Sequence, residues 1–214
     1  MTVTEALNAR RSIRAYLPKP VEREKMTAIL EAAVRTPSWA NSQPWEVFIA
    51  EGETLKRIRA GFDAHYAEAT PSSTEIDRPK EWTEAAKERQ RQLFPDMQRD
   101  CGEAVSQFGP LNKNFFEAPA VVFICVDKLL CEWSLYDIGA YTQSLMLAAV
   151  EHGLDTIPAI NLVLYPDVLR REMNIPDNLK VAIGIAIGYA DRTNGINNFV
   201  SGRSPLEETI RFFD

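Results

Sequence analysis

No GxGxxG run follows a strand-like segment in this chain of 214 residues, and no GxxxxGK[ST] occurs, which excludes a Rossmann dinucleotide site and a P-loop. GxSxG is missing too, and neither histidine, His65 or His152, has a recognisable nucleophile beside it, so no serine or cysteine hydrolase is indicated. The three cysteines, Cys101, Cys125 and Cys131, are an odd number without Cys-x-x-Cys spacing, which argues against a disulfide framework and a zinc site. Cys125 ends an apolar run and is expected to be a buried filler. No apolar run approaches the roughly 20 residues that span a bilayer. Residues 1–10 are polar and amphipathic without a signal-like apolar stretch, and a cytoplasmic location is expected. A basic excess is also lacking: the net charge of −6 disfavours nucleic acid or an anionic membrane as principal partner. A chain with so little side-chain machinery suits a cofactor that carries the reaction itself, the protein supplying position and electrostatics.

Against that acidic background stands one cluster of positive charge. Arg10, Arg11, Ser12, Ile13 and Arg14 close the first helical stretch, and in a helix Arg10 and Arg14 share a face one turn apart. Two guanidiniums, with a hydroxyl and a third guanidinium beside them, can hold a doubly charged phosphate. Alone, the run equally describes a solvated charged face. Further along, Ser38-Trp39-Ala40-Asn41-Ser42-Gln43-Pro44-Trp45 sets short amides beside a rigid Pro-Trp step. That suits the polar edge of a flat heterocycle, and also an ordinary turn into a strand at 45–50. Phosphate at one end and flat ring at the other describe a flavin mononucleotide.

Length and a 45% hydrophobic content fit one domain over 1–214 that buries roughly 70% of its unfolded surface. Helices are expected over 4–9, over 22–34 with Met26, Ile29, Leu30 and Ala33 inward, and over 53–62 with Leu55, Ile58 and Phe62 inward. Residues 65–116 then break the alternation of helix and strand, with a loop at Thr70-Pro71-Ser72-Ser73 and a charged helix over 82–93 stopped by Phe94-Pro95. This reads as a helical insertion. Its aromatics, including Tyr66, Trp82, Phe94, Phe108 and Phe115, either pack it onto the core or form a lid over the ligand. Residues 120–126 are continuously apolar and belong at the centre of a sheet. A helix over 134–152, about 30 Å long, is apolar around most of its circumference, needs cover on every side and closes on Gly153. Strands at 156–164 and 180–190 flank a helix over 166–174, and Gly184 and Gly188 let another backbone or a ligand approach the last strand closely.

In order and spacing, the RRSIR run and Pro37-Ser38, Asn41 and Gln43-Pro44-Trp45 resemble the RRSxR helix and PSxxNxQPW turn of the FMN-dependent nitroreductase family. Asp137-Ile138-Gly139, residues 143–149, Gly153-Leu154-Asp155-Thr156 and residues 184–191 are similar to its nitrobenzoate-reductase branch. The resemblance implies an α+β, three-layer α/β/α fold around a mixed, mostly antiparallel sheet. It implies an intertwined homodimer with the long helix in the dimer core and the tail, 195–214, wrapped around the partner. FMN would have its phosphate and ribityl chain on Arg10, Arg11, Ser12 and Arg14, with Arg203 closing the phosphate site. Pro37, Ser38, Trp39, Asn41 and Gln43 would border the flavin, some from the opposite subunit. Pro158, Ala159 and Ile160 would lie beside the central ring, with a backbone N–H aimed at N5, although Pro158 alone also reads as an edge-strand bulge.

The implied activity is ping-pong hydride transfer from NADH or NADPH to an electron-poor acceptor such as a nitroaromatic or quinone, without metal or catalytic side chain. The same scaffold supports dehalogenation, oxidation, or flavin binding without turnover. Two departures concern the acceptor: Ile157-Pro158-Ala159 replaces Cys-Pro-Gln, and Asn197-Asn198-Phe199-Val200 replaces Asn-Arg-Phe-Arg. With two basic positions missing, either FMN is held less tightly or the substrate mouth is less cationic, which disfavours nitrobenzoate.

Overall fold

A computed structural model of the chain describes residues 1–213; Asp214, the last residue of the expected tail, lies outside the described residues. The chain opens with α1 (Val3–Ala9), started by a capping box in which Thr2 Oγ1 accepts the Glu5 N–H at 3.2 Å and Glu5 Oε2 accepts the Thr2 N–H at 2.7 Å. Next come α2 (Arg23–Ala33), β1 (Glu46–Glu51), α3 (Gly52–Ala67), α4 (Glu84–Cys101) and α5 (Phe108–Lys113). The second half holds β2 (Ala120–Asp127), α6 (Glu132–Glu151), β3 (Asp155–Ala159), α7 (Pro166–Met173), β4 (Leu179–Gly188) and α8 (Leu206–Thr209). Among the described residues no helix is long and apolar enough to cross a membrane.

The four strands form one sheet in the order β1-β2-β4-β3, every pair antiparallel. Mixed character is confined to an isolated parallel bridge between Ser12 and Thr156 on the outer edge of β3. β2 is central and buried, as its apolar run predicts, and its alternating side chains feed two cores. Val121, Phe123 and Cys125 pack with Leu55, Ile58 and Phe62 of α3 and with Val168 and Leu169 of α7. Ala120, Val122, Ile124 and Val126 pack with Met26, Ile29 and Ala33 of α2 and with Tyr141 and Leu145 of α6. Helices therefore cover both faces of the sheet, giving the three layers.

The glycines of β4 answer to packing. A Cβ at Gly184 would lie 2.6 Å from Leu162 Cβ, and one at Gly188 would lie 2.6 Å from Pro119 Cδ, so the close neighbours are side chains. Gly153 closes α6 at φ +73°, with Leu154 N–H returning to Ala149 O at 2.8 Å.

Several expectations are corrected. α1 ends at Ala9, and Arg10 leaves it with φ −63° and ψ 120°, so the RRSIR run is extended rather than helical. The cause is tertiary: Ile13 is fully buried and its N–H donates to Thr156 O at 3.2 Å, drawing the run onto the sheet edge. Phe94-Pro95 does not stop the charged helix, because α4 continues through Pro95 to Cys101. An interior proline costs about 3 kcal/mol, and the buried side chains of Met97 and Cys101 beyond it offset that cost. The strand expected over 156–164 ends at Ala159, where a 3-10 turn, Ile160–Val163, begins. Of the two readings left open for Phe115, core packing and lid, the structure shows packing: it is fully buried and lies edge-on to Phe62 with ring centres 4.8 Å apart. Positive φ at Phe115, Phe116 and Glu117 turns both phenylalanine rings into the core.

Candidate functional site

Extended backbone aims the arginine run differently from a helix, yet the charges still converge. Arg10, Arg11, Ser12 and Arg14 line a cleft of about 210 Å³ together with Leu7, Phe199, Ser201 and Arg203. None of the four arginines forms an ion pair with a carboxylate among the described residues. Burial and the neighbouring charge of Arg203 hold the Arg10 guanidinium below its ordinary value, and burial does the same to Arg14. Four cations set close together without a protein anion make a site that favours a multiply charged oxyanion.

Arg14 is the most enclosed of them. Its guanidinium lies 5.2 Å from the ring centre of Phe199 and 5.9 Å from that of Phe108, and Nη1 donates to Ser12 O at 3.0 Å. Its Nε is buried without a partner among the described residues. Arg203 donates through Nη1 to the carbonyl and hydroxyl of Ser201, at 3.0 and 2.8 Å.

One buried residue holds this strand in place. Asn197 Oδ1 accepts the N–H groups of Arg14 at 2.7 Å and Ala15 at 3.2 Å, while Nδ2 donates to Ala15 O at 2.8 Å and Asp191 O at 2.9 Å. Sequence reasoning did not single it out. Pro158, Ala159 and Ile160 share this edge of the sheet, since Ser12 bridges to Thr156, two residues before Pro158. Pro158 sits in regular register opposite Ile185 and forms no bulge.

The turn from Pro37 to Gln43 lies elsewhere. Ala40, Asn41 and Gln43 take φ of 51°, 55° and 45°, a strained run held by Ser38 Oγ accepting the Gln43 N–H at 2.9 Å. Gln43 Nε2 reaches Asn41 Oδ1 at 3.3 Å. Trp39 N–H donates to Asp137 Oδ2 of α6 at 3.1 Å, which ties the turn to the long helix. A cavity of about 530 Å³ opens here, lined by Pro37, Ser38, Trp39, Trp133, Tyr136 and Asp137.

Ser12 and this turn are far apart in one chain. From Ser12 the rows run through Thr156, Ile187 and Ala120 to Glu51 at one end of β1, and the turn joins the other end at Glu46. Four strand spacings of about 4.8 Å and five residues of about 3.4 Å give a diagonal of roughly 25 Å.

The insertion aromatics separate into three groups. Phe108, on α5, faces Arg14. Tyr66 ends α3 edge-on to Phe62 and Tyr165. Trp82 and Phe94 are exposed. α5 is tied to the 3-10 turn after β3 by Asn161 Nδ2, which donates to Asn112 O at 2.7 Å, and the segment before it by Asn194 Nδ2, which meets Gln107 Oε1 at 3.0 Å.

Comparison with known proteins adds four relationships. Residues 7–189 match the model of the nitroreductase family. The chain is 31% identical to a chloronitrobenzene nitroreductase of Comamonas testosteroni over 98% of this chain and 96% of the relative. It is 29% identical to a 4-nitrobenzoate reductase of Pseudomonas putida over 93% and 88%. Among solved structures, the FMN-dependent nitroreductase NfnB from Mycobacterium smegmatis, in complex with NADPH, superposes with a TM-score of 0.89 at 28% identity, covering all of both chains.

Proposed function

This chain belongs to the nitroreductase family, and from that membership we propose that it is an FMN-dependent NAD(P)H oxidoreductase that reduces nitroaromatic or quinone acceptors as a homodimer. Support comes from relatives whose names carry this chemistry and from a structural neighbour that binds FMN and NADPH. When bound, FMN would supply the redox chemistry, a two-electron couple between NADH or NADPH and the acceptor in a ping-pong cycle, with protons taken from solvent. The protein's residues bind and orient. Arg10, Arg11, Ser12 and Arg203 hold the phosphate, and Arg14 faces the ribityl chain. Pro158, Ala159 and Ile160 back the ring from the same chain.

The observation that carries this reading is the convergence of four arginines that meet no carboxylate among the described residues, in an acidic protein. A diagonal of roughly 25 Å exceeds the length of one FMN, so Pro37, Ser38, Trp39, Asn41 and Gln43 border the flavin held by the second copy. Exposed Phe212 and Phe213 at the tail and Trp133 and Tyr136 on α6 supply apolar surface for that copy to cover. Residues 65–116 act as the lid, with Phe108 its nearest ring to the arginines, and a cytoplasmic location completes the proposal.

The test is direct. Purified protein is expected to be yellow and to bleach anaerobically on adding NADPH or NADH, and Arg10→Ala and Arg203→Ala are expected to lose FMN on gel filtration. A colourless protein that takes up no FMN overturns the proposal, and flavin that binds but resists both nicotinamides reduces it to flavin binding without turnover.

A further inference from the structure

Residues 65–116 do not form one uniform lid. From Glu84 to Pro95 every residue except Ala86 is exposed. Among the described residues, the hydrogen bonds and ion pairs of this stretch stay within α4 and its Thr83 cap. From Met97 onward the chain turns inward, onto the 3-10 turn Gly195–Asn198 that supplies Asn197 to the arginine strand. Cys101 Sγ donates to Ile196 O at 3.6 Å, and a Cβ on Gly195 would lie 3.1 Å from Ala104 Cβ, so the two segments meet almost backbone to backbone. Just before that turn, Asn194 Nδ2 donates to Gln107 Oε1 at 3.0 Å. Phe108 and Phe199 then lie within cation–π range of the Arg14 guanidinium, at 5.9 and 5.2 Å. Asn161 fastens the far end of α5 through Asn112 O at 2.7 Å.

We propose that residues 97–113 are a cofactor clamp: by holding Arg14 and the Asn194–Asn198 segment in place they set how fast FMN leaves, and the exposed half of α4 takes no part in that retention. The proposal deepens the flavoenzyme reading and rests on it, because Arg14 and its strand line the cleft assigned to FMN. An arginine without a carboxylate partner keeps its charge for a ligand, yet its long side chain is then free to wander among rotamers. Aromatic rings confine the guanidinium without neutralising it, since a π cloud attracts a cation but supplies no counter-charge. Ordering the guanidinium before the ligand arrives lowers the entropy that binding costs, and the gain shows mainly as slower release. Gln107 and Phe108 are therefore positioning residues, acting on FMN through Asn194 and Arg14.

Release is timed by mixing FMN-loaded protein with a large excess of isotopically labelled FMN and measuring the unlabelled FMN left on the protein after rapid gel filtration. Gln107→Ala removes the acceptor for Asn194 and is expected to release FMN about fivefold faster, the factor one hydrogen bond is worth. Gln107→Glu keeps an acceptor there and is expected to stay within about twofold of wild type. Phe108→Ala is expected to speed release about tenfold through the lost cation–π contact. Should that variant fail to fold, the Gln107 pair decides, because Gln107 is exposed. Leu93→Ser, on the exposed half of α4, is expected to leave the rate unchanged. Release from Gln107→Ala no faster than from wild type, equal acceleration by Gln107→Glu or Leu93→Ser, or acceleration that merely accompanies a lower melting temperature of the FMN-free protein overturns the clamp. A wild-type protein that takes up no FMN overturns both this proposal and the flavoenzyme reading. FMN that is held but left oxidised by NADPH and NADH fails that reading alone, and the release rates still decide the clamp.

Discussion

Asn197 shows how much of the arginine site depends on a residue that carries no charge. Its amide satisfies two backbone donors and two backbone acceptors of the Arg14 strand and the Asp191 turn. Asn197→Ala leaves those groups buried without partners, and urea unfolding is expected to show a loss of about 2–4 kcal/mol. FMN retention is expected to fall in the same variant, because the strand presenting Arg10 and Arg14 loses its brace. In the sequence this residue is one polar letter in a polar tail, and only long-range geometry reveals its use. The arginines, by contrast, were legible as a cluster, although the helix assigned to them was wrong: the pull of buried Ile13 toward the sheet cannot be read from local spacing. The Cys125 filler role was legible because its apolar flanks are contiguous in sequence. Burial pushes the Cys125 thiol up to about 12 and also raises that of Cys101. Both thiols therefore stay protonated at pH 8, and Ellman's reagent is expected to reach them only after denaturant is added.

At the scale of elements, tertiary packing overrides local punctuation in the insertion. Pro95 reads as a stop, yet Met97 and Cys101 beyond it are buried and keep α4 going. Because Pro95 is itself exposed, Pro95→Ala loses no buried contact and regains a helical N–H. The variant is expected to be more stable by up to about 3 kcal/mol, visible as a raised melting temperature with unchanged FMN content. An unchanged or lowered melting temperature would mean that the proline ring itself is needed to seat Met97. The long helices and the central strand were legible because their period and length are intrinsic. Their partners were not: Glu75 sits in a loop without motif, yet accepts the Val181 N–H at 2.7 Å and binds Arg170 at 2.6 and 2.8 Å, closing the edge of β4 where β3 no longer covers it.

The whole molecule is organised by the distance between its two recognition motifs. With the two motifs on opposite edges and at opposite ends of one sheet, the proposed composite site requires a second copy to bring its turn to the first copy's arginines. Mixed dimers test this. One chain carries Arg10→Ala with Arg203→Ala, the other Asn41→Ala with Gln43→Ala, and each parent homodimer is expected to be nearly inactive. In the mixed dimer one site receives both lesions and the other neither, so about half of the wild-type activity per dimer is expected to return on mixing, subject to the fraction of mixed dimers formed. No recovery would place the whole site within one chain. That site map also fixes a kinetic signature. In the proposed dimer, dilution below the dissociation constant would leave each separated chain with all its residues but only half of every site, so the initial rate is expected to turn from first toward second order in enzyme concentration.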